Sequence, residues 1–238
     1  MPATDDLDHR LYDLDAANST DAATLAQYRD SLAALIAARR DVRVGFTGER
    51  LDEDALRRVL LRAHEAPSVG NSQPWDFVVV DDADLKARFR DHVEQHRLAF
   101  ESSLDDPERR ATFRTLRIEG IAEASAGIVV TYDRERGGPQ VLGRASIDET
   151  GIWSVCLAIE NLWLAATAEG WGVGWVSFYD ELFLADLVGL PATVRPVAWL
   201  CVGPVPRLAT TPDLERAGWR PRRALDSVIH RNRFGTDA

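Results

Sequence analysis

The chain has 238 residues, with 28 basic against 38 acidic side chains, a net charge of −10 and a pI near 5.0, a length that suits one generous domain or two small ones. At 45% hydrophobic and 28% charged residues it is too apolar for a disordered chain, and its acidic balance argues against non-specific nucleic-acid binding. No apolar run approaches the ~20 residues of a membrane span, and Met1 to Arg10 lacks the basic start and apolar stretch of an export signal.

Residues 1–22 carry few apolar side chains and read as a flexible N-terminal arm. Leu25, Tyr28, Leu32, Leu35 and Ile36 then recur at helical spacing, and the helix runs into Arg39-Arg40. A second helix starts at Asp52, whose side chain is placed to cap it, and its stripe of Leu56, Val59, Leu60 and Ala63 ends before Pro67. The loop Pro67–Trp75 leads into a strand over Phe77–Val80. Residues 84–118 are charged and helical with a break at Asp105-Asp106-Pro107. A strand over Gly127–Tyr132 is followed by an irregular connection, Arg134–Arg144. The strongest helical stripe is Ile152, Val155, Cys156, Ile159, Leu162, Trp163 and Ala166, a candidate central helix. Strands over Gly174–Tyr179 and Val197–Val202 flank a short helix ending at Leu187. From Gly203 onward seven arginines and four acids form a tail with little periodicity, which either wraps a partner subunit or packs on its own chain. Cys156 and Cys201, both inside apolar runs, are expected as buried thiols in a reducing, cytoplasmic setting.

Three stretches are suited to chemistry. Arg39-Arg40-Asp41-Val42-Arg43 sets three guanidiniums around one carboxylate; it either clamps a phosphate or forms a surface ion-pair knot. In Ala66–Trp75, small residues expose backbone amides, Ser68, Asn71 and Gln73 add donors and acceptors, and Trp75 pins the end. Such a loop fits a flat heteroaromatic ligand, or is plain structure. In Gly172-Val173-Gly174-Trp175-Val176-Ser177, strand alternation puts Trp175, Ser177 and Tyr179 on one face, and the glycines admit a close approach to the backbone. Ser177 then needs a neighbouring carbonyl or a ligand. His92 and His96 share a helix face but lack a third ligand at a recognisable spacing, so no metal site is expected.

These stretches together resemble the FMN-dependent nitroreductase superfamily, and within it the BluB-type 5,6-dimethylbenzimidazole synthase branch, the flavin destructases. Further strings shared with that branch are Leu116-Arg117-Ile118-Glu119-Gly120-Ile121, Leu142-Gly143-Arg144, Asn161-Leu162-Trp163-Leu164-Ala165-Ala166, Trp199-Leu200-Cys201-Val202-Gly203 and Gly218-Trp219-Arg220. The resemblance implies an α+β fold with a central mixed β-sheet flanked by helices and extended arms swapped in a homodimer. The nitroreductase-like FMN-binding domain is expected over residues 23–225, with a C-terminal tail over 226–238. It further implies that reduced FMN, supplied by a flavin reductase, is the substrate and O2 the oxidant, giving 5,6-dimethylbenzimidazole and erythrose 4-phosphate. Carried over by position, Asp41 and Ser177 are the catalytic candidates. The flavin contacts are Arg39, Arg40, Asp41, Val42, Arg43, Pro67, Ser68, Gly70, Gln73, Gly174, Trp175, Val176, Ser177 and Arg220, with residues 85–119 as a lid. Two departures, Thr150-Gly151-Ile152-Trp153-Ser154 and Asn71-Ser72, fall at the expected ring pocket. The alternatives are an NAD(P)H nitroreductase or quinone reductase that keeps its FMN, and a non-catalytic flavin-binding protein.

Overall fold

The computed structural model describes residues 20–235. The expected N-terminal arm lies outside them up to residue 19, as do residues 236–238 of the expected tail. Helix α1 (Ala22–Ala38) is started by the Asp21 carboxylate, which accepts the Ala23 and Thr24 amides at 3.0 and 3.1 Å. It belongs to a unit of its own ending at Ala38, and none of its residues is buried.

The second unit begins at Arg39. Its centre is a four-stranded sheet in the order β1-β2-β4-β3, where β1 is Phe77–Val80, β2 Ala126–Asp133, β3 Trp171–Val176 and β4 Val194–Pro204. All three pairings are antiparallel. The sheet is mixed only through a single parallel bridge that joins Asp41 to Val173 at the β3 edge.

Period-two alternation sends side chains to two cores. Ile128, Val130, Leu200, Val202 and Val173 face helix α2 (Glu53–His64) and helix α5 (Thr150–Ala168), which contribute Val59, Ala63, Val155, Ile159 and Leu162. Val129, Trp199, Cys201 and Val176 face the opposite way, toward Phe89 and Val93 of α3 (Ala83–Ser102) and Leu184 and Leu187 of α6 (Glu181–Leu187). Helix α4 (Pro107–Thr115) follows α3 after the expected break, with Asp106 as its cap and Pro107 in its first turn. Against the sequence expectation that no run approaches a membrane span, helix α5 is long and apolar enough to cross one by length and composition, but its apolar stripe packs on the sheet. Another sequence expectation fails on this helix: Cys156 is exposed, whereas Cys201 on β4 is buried and its thiol is pushed up to about 12 by burial. The stripe turns Val155 and Ile159 inward and leaves position 156 on the outer side.

Trp199 is fully buried and stacks on Phe89 with ring centroids 4.0 Å apart. The space for its indole exists because position 127 is glycine, where a Cβ would overlap the ring. Gly127→Ala is therefore expected to cost about 1–3 kcal/mol, read as a lower urea midpoint at unchanged slope. An unchanged midpoint would show that Trp199 has another rotamer to occupy.

Candidate active site

Asp41 and Val42 run alongside β3. The Val42 amide donates to the Val173 carbonyl at 2.9 Å, and Asp41 Oδ1 accepts the Trp175 amide at 3.1 Å. Gly174 makes this approach possible, since a Cβ there would overlap the Val42 carbonyl oxygen. The close approach expected at the glycines is thus made by the chain's own backbone.

The three arginines do not surround Asp41. Among the described residues Arg43 alone pairs with its carboxylate. Arg40 donates to the carbonyls of Arg39 and Thr210, both at 2.6 Å. Arg39 lies 3.6 Å from Glu160 and over the Trp163 ring, while Trp163 Nε1 donates to the Arg40 carbonyl at 3.0 Å. Burial raises the Asp41 pKa above the usual carboxylate value. The Arg43 charge, the Trp175 amide and the Arg43 hydrogen bond oppose that rise, and the like charge of Asp213 adds to it. Among the described residues the Nε atoms of Arg39 and Arg43 are buried without a hydrogen-bond partner. Orphaned donors on two guanidiniums fit an anionic, oxygen-rich group such as a phosphate or ribityl chain.

Arg43, Trp175 and Ser177 line one cleft of about 180 Å³. Its remaining walls are apolar: Phe100 from α3, Phe113 from α4, Leu116, Ile118, Phe178, Leu214 and Trp219. Residues 85–119, expected as a lid, therefore supply much of the wall. The alternation expected for Trp175, Ser177 and Tyr179 does not hold, because β3 ends at Val176. Beyond it the backbone bends, Ser177 and Phe178 both reach the cleft, and Tyr179 packs on Phe89 instead. Ser177 is exposed and its hydroxyl has no hydrogen-bond partner among the described residues, while Val176 is buried in the core and Gly174 in the strand.

The loop at 67–73 lies elsewhere. Gly70, Asn71 and Gln73 take left-handed backbone conformations, and a Cβ on Gly70 would come within 2.7 Å of Val141. Ser68 Oγ accepts the Gln73 amide at 2.9 Å and Ser154 Oγ accepts the Val69 amide at 3.0 Å. Pro67 is exposed, and Trp75 Nε1 donates to His64 Nδ1 at 3.1 Å, pinning the loop as expected. Ser154 and Trp163, which anchor this loop and the arginine cluster respectively, are nine residues apart on α5, about 14 Å at helical rise. One chain alone therefore separates the two halves of the expected flavin contacts. Both departures bear on the loop: Ser154 Oγ of the first accepts the Val69 amide, and Ser72 Oγ of the second donates to the Val69 carbonyl at 2.8 Å.

The expected contact Arg220 is exposed beside the cleft, whereas its neighbour Trp219 lines it under the Arg109 guanidinium, 4.1 Å away. Sequence reasoning missed Phe100, Phe113, Leu214 and Trp219, and Thr210 and Asp213 behind them. Aromatic side chains in polar segments were the available signal. His92 and His96 lie with ring centroids 4.5 Å apart, tilted by 51°, without a third metal-ligating neighbour among the described residues.

Residues 36–204 match the model of the nitroreductase family. The chain is similar to the 5,6-dimethylbenzimidazole synthase of Rhodospirillum rubrum, 41% identical over 82% of this chain and 92% of that protein. The synthase of Rhodobacter capsulatus is 37% identical over 81% and 92%. Among solved structures, oxidized iodotyrosine deiodinase bound to FMN and 3-iodo-L-tyrosine aligns with a TM-score of 0.68 at 25% identity, over 85% of this chain and all of that one.

Proposed function

The chain belongs to the nitroreductase family, and from that premise we propose that it acts as a 5,6-dimethylbenzimidazole synthase with its chemistry in the cleft of Arg43, Trp175 and Ser177. Its similarity to synthases of that activity over four-fifths of its length supports the reading. The observation that carries it is the Asp41 carboxylate, tied to the Trp175 amide two residues before Ser177, with both ends of that segment beside Arg43.

Reduced FMN, as substrate, supplies the ring system and ribityl chain, and O2 is the oxidant; the products are 5,6-dimethylbenzimidazole, erythrose 4-phosphate and a fragment carrying the remaining pyrimidine carbons and nitrogens of the flavin. Arg39 and Arg43 hold the phosphate and ribityl oxygens through guanidiniums whose Nε atoms make no hydrogen bond among the described residues. Asp41, held less acidic by burial, accepts a proton at a ribityl carbon. The Ser177 hydroxyl donates a hydrogen bond to the ring edge. Phe100, Phe113, Leu116 and Trp219 keep water from the reacting atoms. Ser68, Gly70 and Gln73, whose loop is anchored on Ser154 about 14 Å along α5 from Trp163, act on a second site in a homodimer, so that each site takes residues from both chains. A flavin reductase delivers the reduced FMN, in the cytoplasm.

Aerobic incubation with FMN and a flavin reductase, followed by mass spectrometry, tests the reading. Appearance of 5,6-dimethylbenzimidazole supports it. A protein that purifies yellow, oxidises NAD(P)H with a nitroaromatic and makes no benzimidazole is a flavin-retaining nitroreductase instead; flavin binding without turnover marks a non-catalytic binder. Within the reading, Ser177→Ala is expected to lower the rate of benzimidazole formation by about 10²-fold with FMN affinity changed little. An unchanged rate removes Ser177 from the chemistry.

A further inference from the structure

The segment Ser177–Asp180 carries the cleft's hydroxyl but belongs to no strand or helix. It is held largely by α3. Phe178 packs edge-on against Phe100 with centroids 5.5 Å apart, Tyr179 lies 5.5 Å from Phe89, and the Asp180 amide donates to His92 Nε2 at 3.0 Å. Among the described residues that last bond is the one polar link between α3 and the segment. The His92 ring is fixed for it: Phe183 stacks on the ring at 3.8 Å with planes 4° apart, and His96 lies 4.5 Å from it, tilted by 51°. Accepting at Nε2 requires this nitrogen to be unprotonated, so the bond exists only with neutral imidazole.

We propose that His92 is a positioning residue for the reaction: its neutral ring, by accepting the Asp180 amide, fixes the segment that presents Ser177 to the flavin, and acidification releases it. The inference rests on the reading that Ser177 faces the flavin ring. The titratable groups facing His92 are His96 on α3 and the Asp180 carboxylate at the start of α6. Glu181, beside Asp180, is paired with Arg195 of β4 at 2.8 Å. Burial pushes the His92 pKa below the usual histidine value, the neighbouring His96 pushes it further, and Asp180 opposes both. The hold on the segment is therefore intact at neutral pH and lost as pH falls below 6.5, through the lowered pKa. The Asp180 carboxylate itself caps α6 by accepting the Phe183 amide at 3.0 Å, so release of its own amide frees the chain between Val176 and α6.

The test compares the wild-type chain with His92→Gln, whose side-chain carbonyl accepts without titrating, and His92→Ala, which cannot accept. Hydrogen exchange by mass spectrometry on the flavin-free chain, corrected for intrinsic rates, reads the peptide spanning residues 177–180 between pH 5 and 8. The wild type is expected to lose protection as pH falls, His92→Gln to keep it, and His92→Ala to lack it throughout. With reduced FMN in air, His92→Ala is expected to lower kcat roughly 10- to 100-fold with KM changed less than about twofold. His92→Gln restores most of that rate and flattens the acid side of the pH profile. Identical exchange and superimposable pH profiles in wild type and His92→Gln overturn the proposal, as does a His92→Ala loss confined to KM. The expected exchange pattern in a chain that forms no benzimidazole supports the His92 tie and counts against the reaction.

Discussion

Asp41→Asn is expected to lower 5,6-dimethylbenzimidazole formation by about 10³-fold while FMN still binds. The amide keeps the carboxylate's shape, and its carbonyl oxygen still accepts the Trp175 amide, now met at 3.1 Å by Asp41 Oδ1. What it loses is the ability to take a proton at carbon. Stability argues the same way. Burial outweighs Arg43 and raises the folded pKa above 3.8, so the favourable contribution of this carboxyl is fully present below the unfolded pKa. It is lost as pH rises through the folded one. At pH 7 the ionised carboxylate no longer helps the fold, and the neutral variant should melt at or above the wild-type temperature. Retained benzimidazole synthesis in Asp41→Asn would falsify its role as base. Loss of FMN binding together with a lower melting temperature would make the carboxylate structural.

Gly174→Ala is expected to damage both fold and site. The new Cβ would overlap the Val42 carbonyl oxygen, a backbone atom with no rotamer to escape into. Relief requires the segment Asp41–Val42 to leave β3, breaking the 2.9 Å bond from the Val42 amide to Val173 and the Asp41 bond to Trp175. The cost is about 3 kcal/mol, or a melting temperature lower by roughly 6–12 °C in a chain this size. Benzimidazole formation should fall with it even below the new melting point, because Asp41 no longer sits beside the Ser177 segment. A variant as stable and active as the wild type would mean that the Asp41 bridge is dispensable.

Much of this molecule is legible in the order of its side chains. Short apolar runs located β1, β2 and β4, and period-3.6 stripes located α2 and α5, because apolar patterning is a local property of sequence. Asp52 as a cap, the break at Asp106-Pro107 and Trp75 as an anchor follow from the same local rules. The arginine cluster, Asp41 and Ser177 stand out because guanidiniums around a carboxylate and a hydroxyl on an apolar strand are costly without a purpose. Only the tertiary structure decided which of three arginines pairs with Asp41, and that choice depends on where β3 lies beside Val42. It also decided that the chain bends after Val176, so that Ser177 and Phe178 share a cleft that strand alternation would have split between two faces. The cleft wall joins Phe100 and Phe113 to Trp219, more than a hundred positions away. No periodicity encodes such a meeting: it is set by how the strands order themselves and by which helices then cover the free edge.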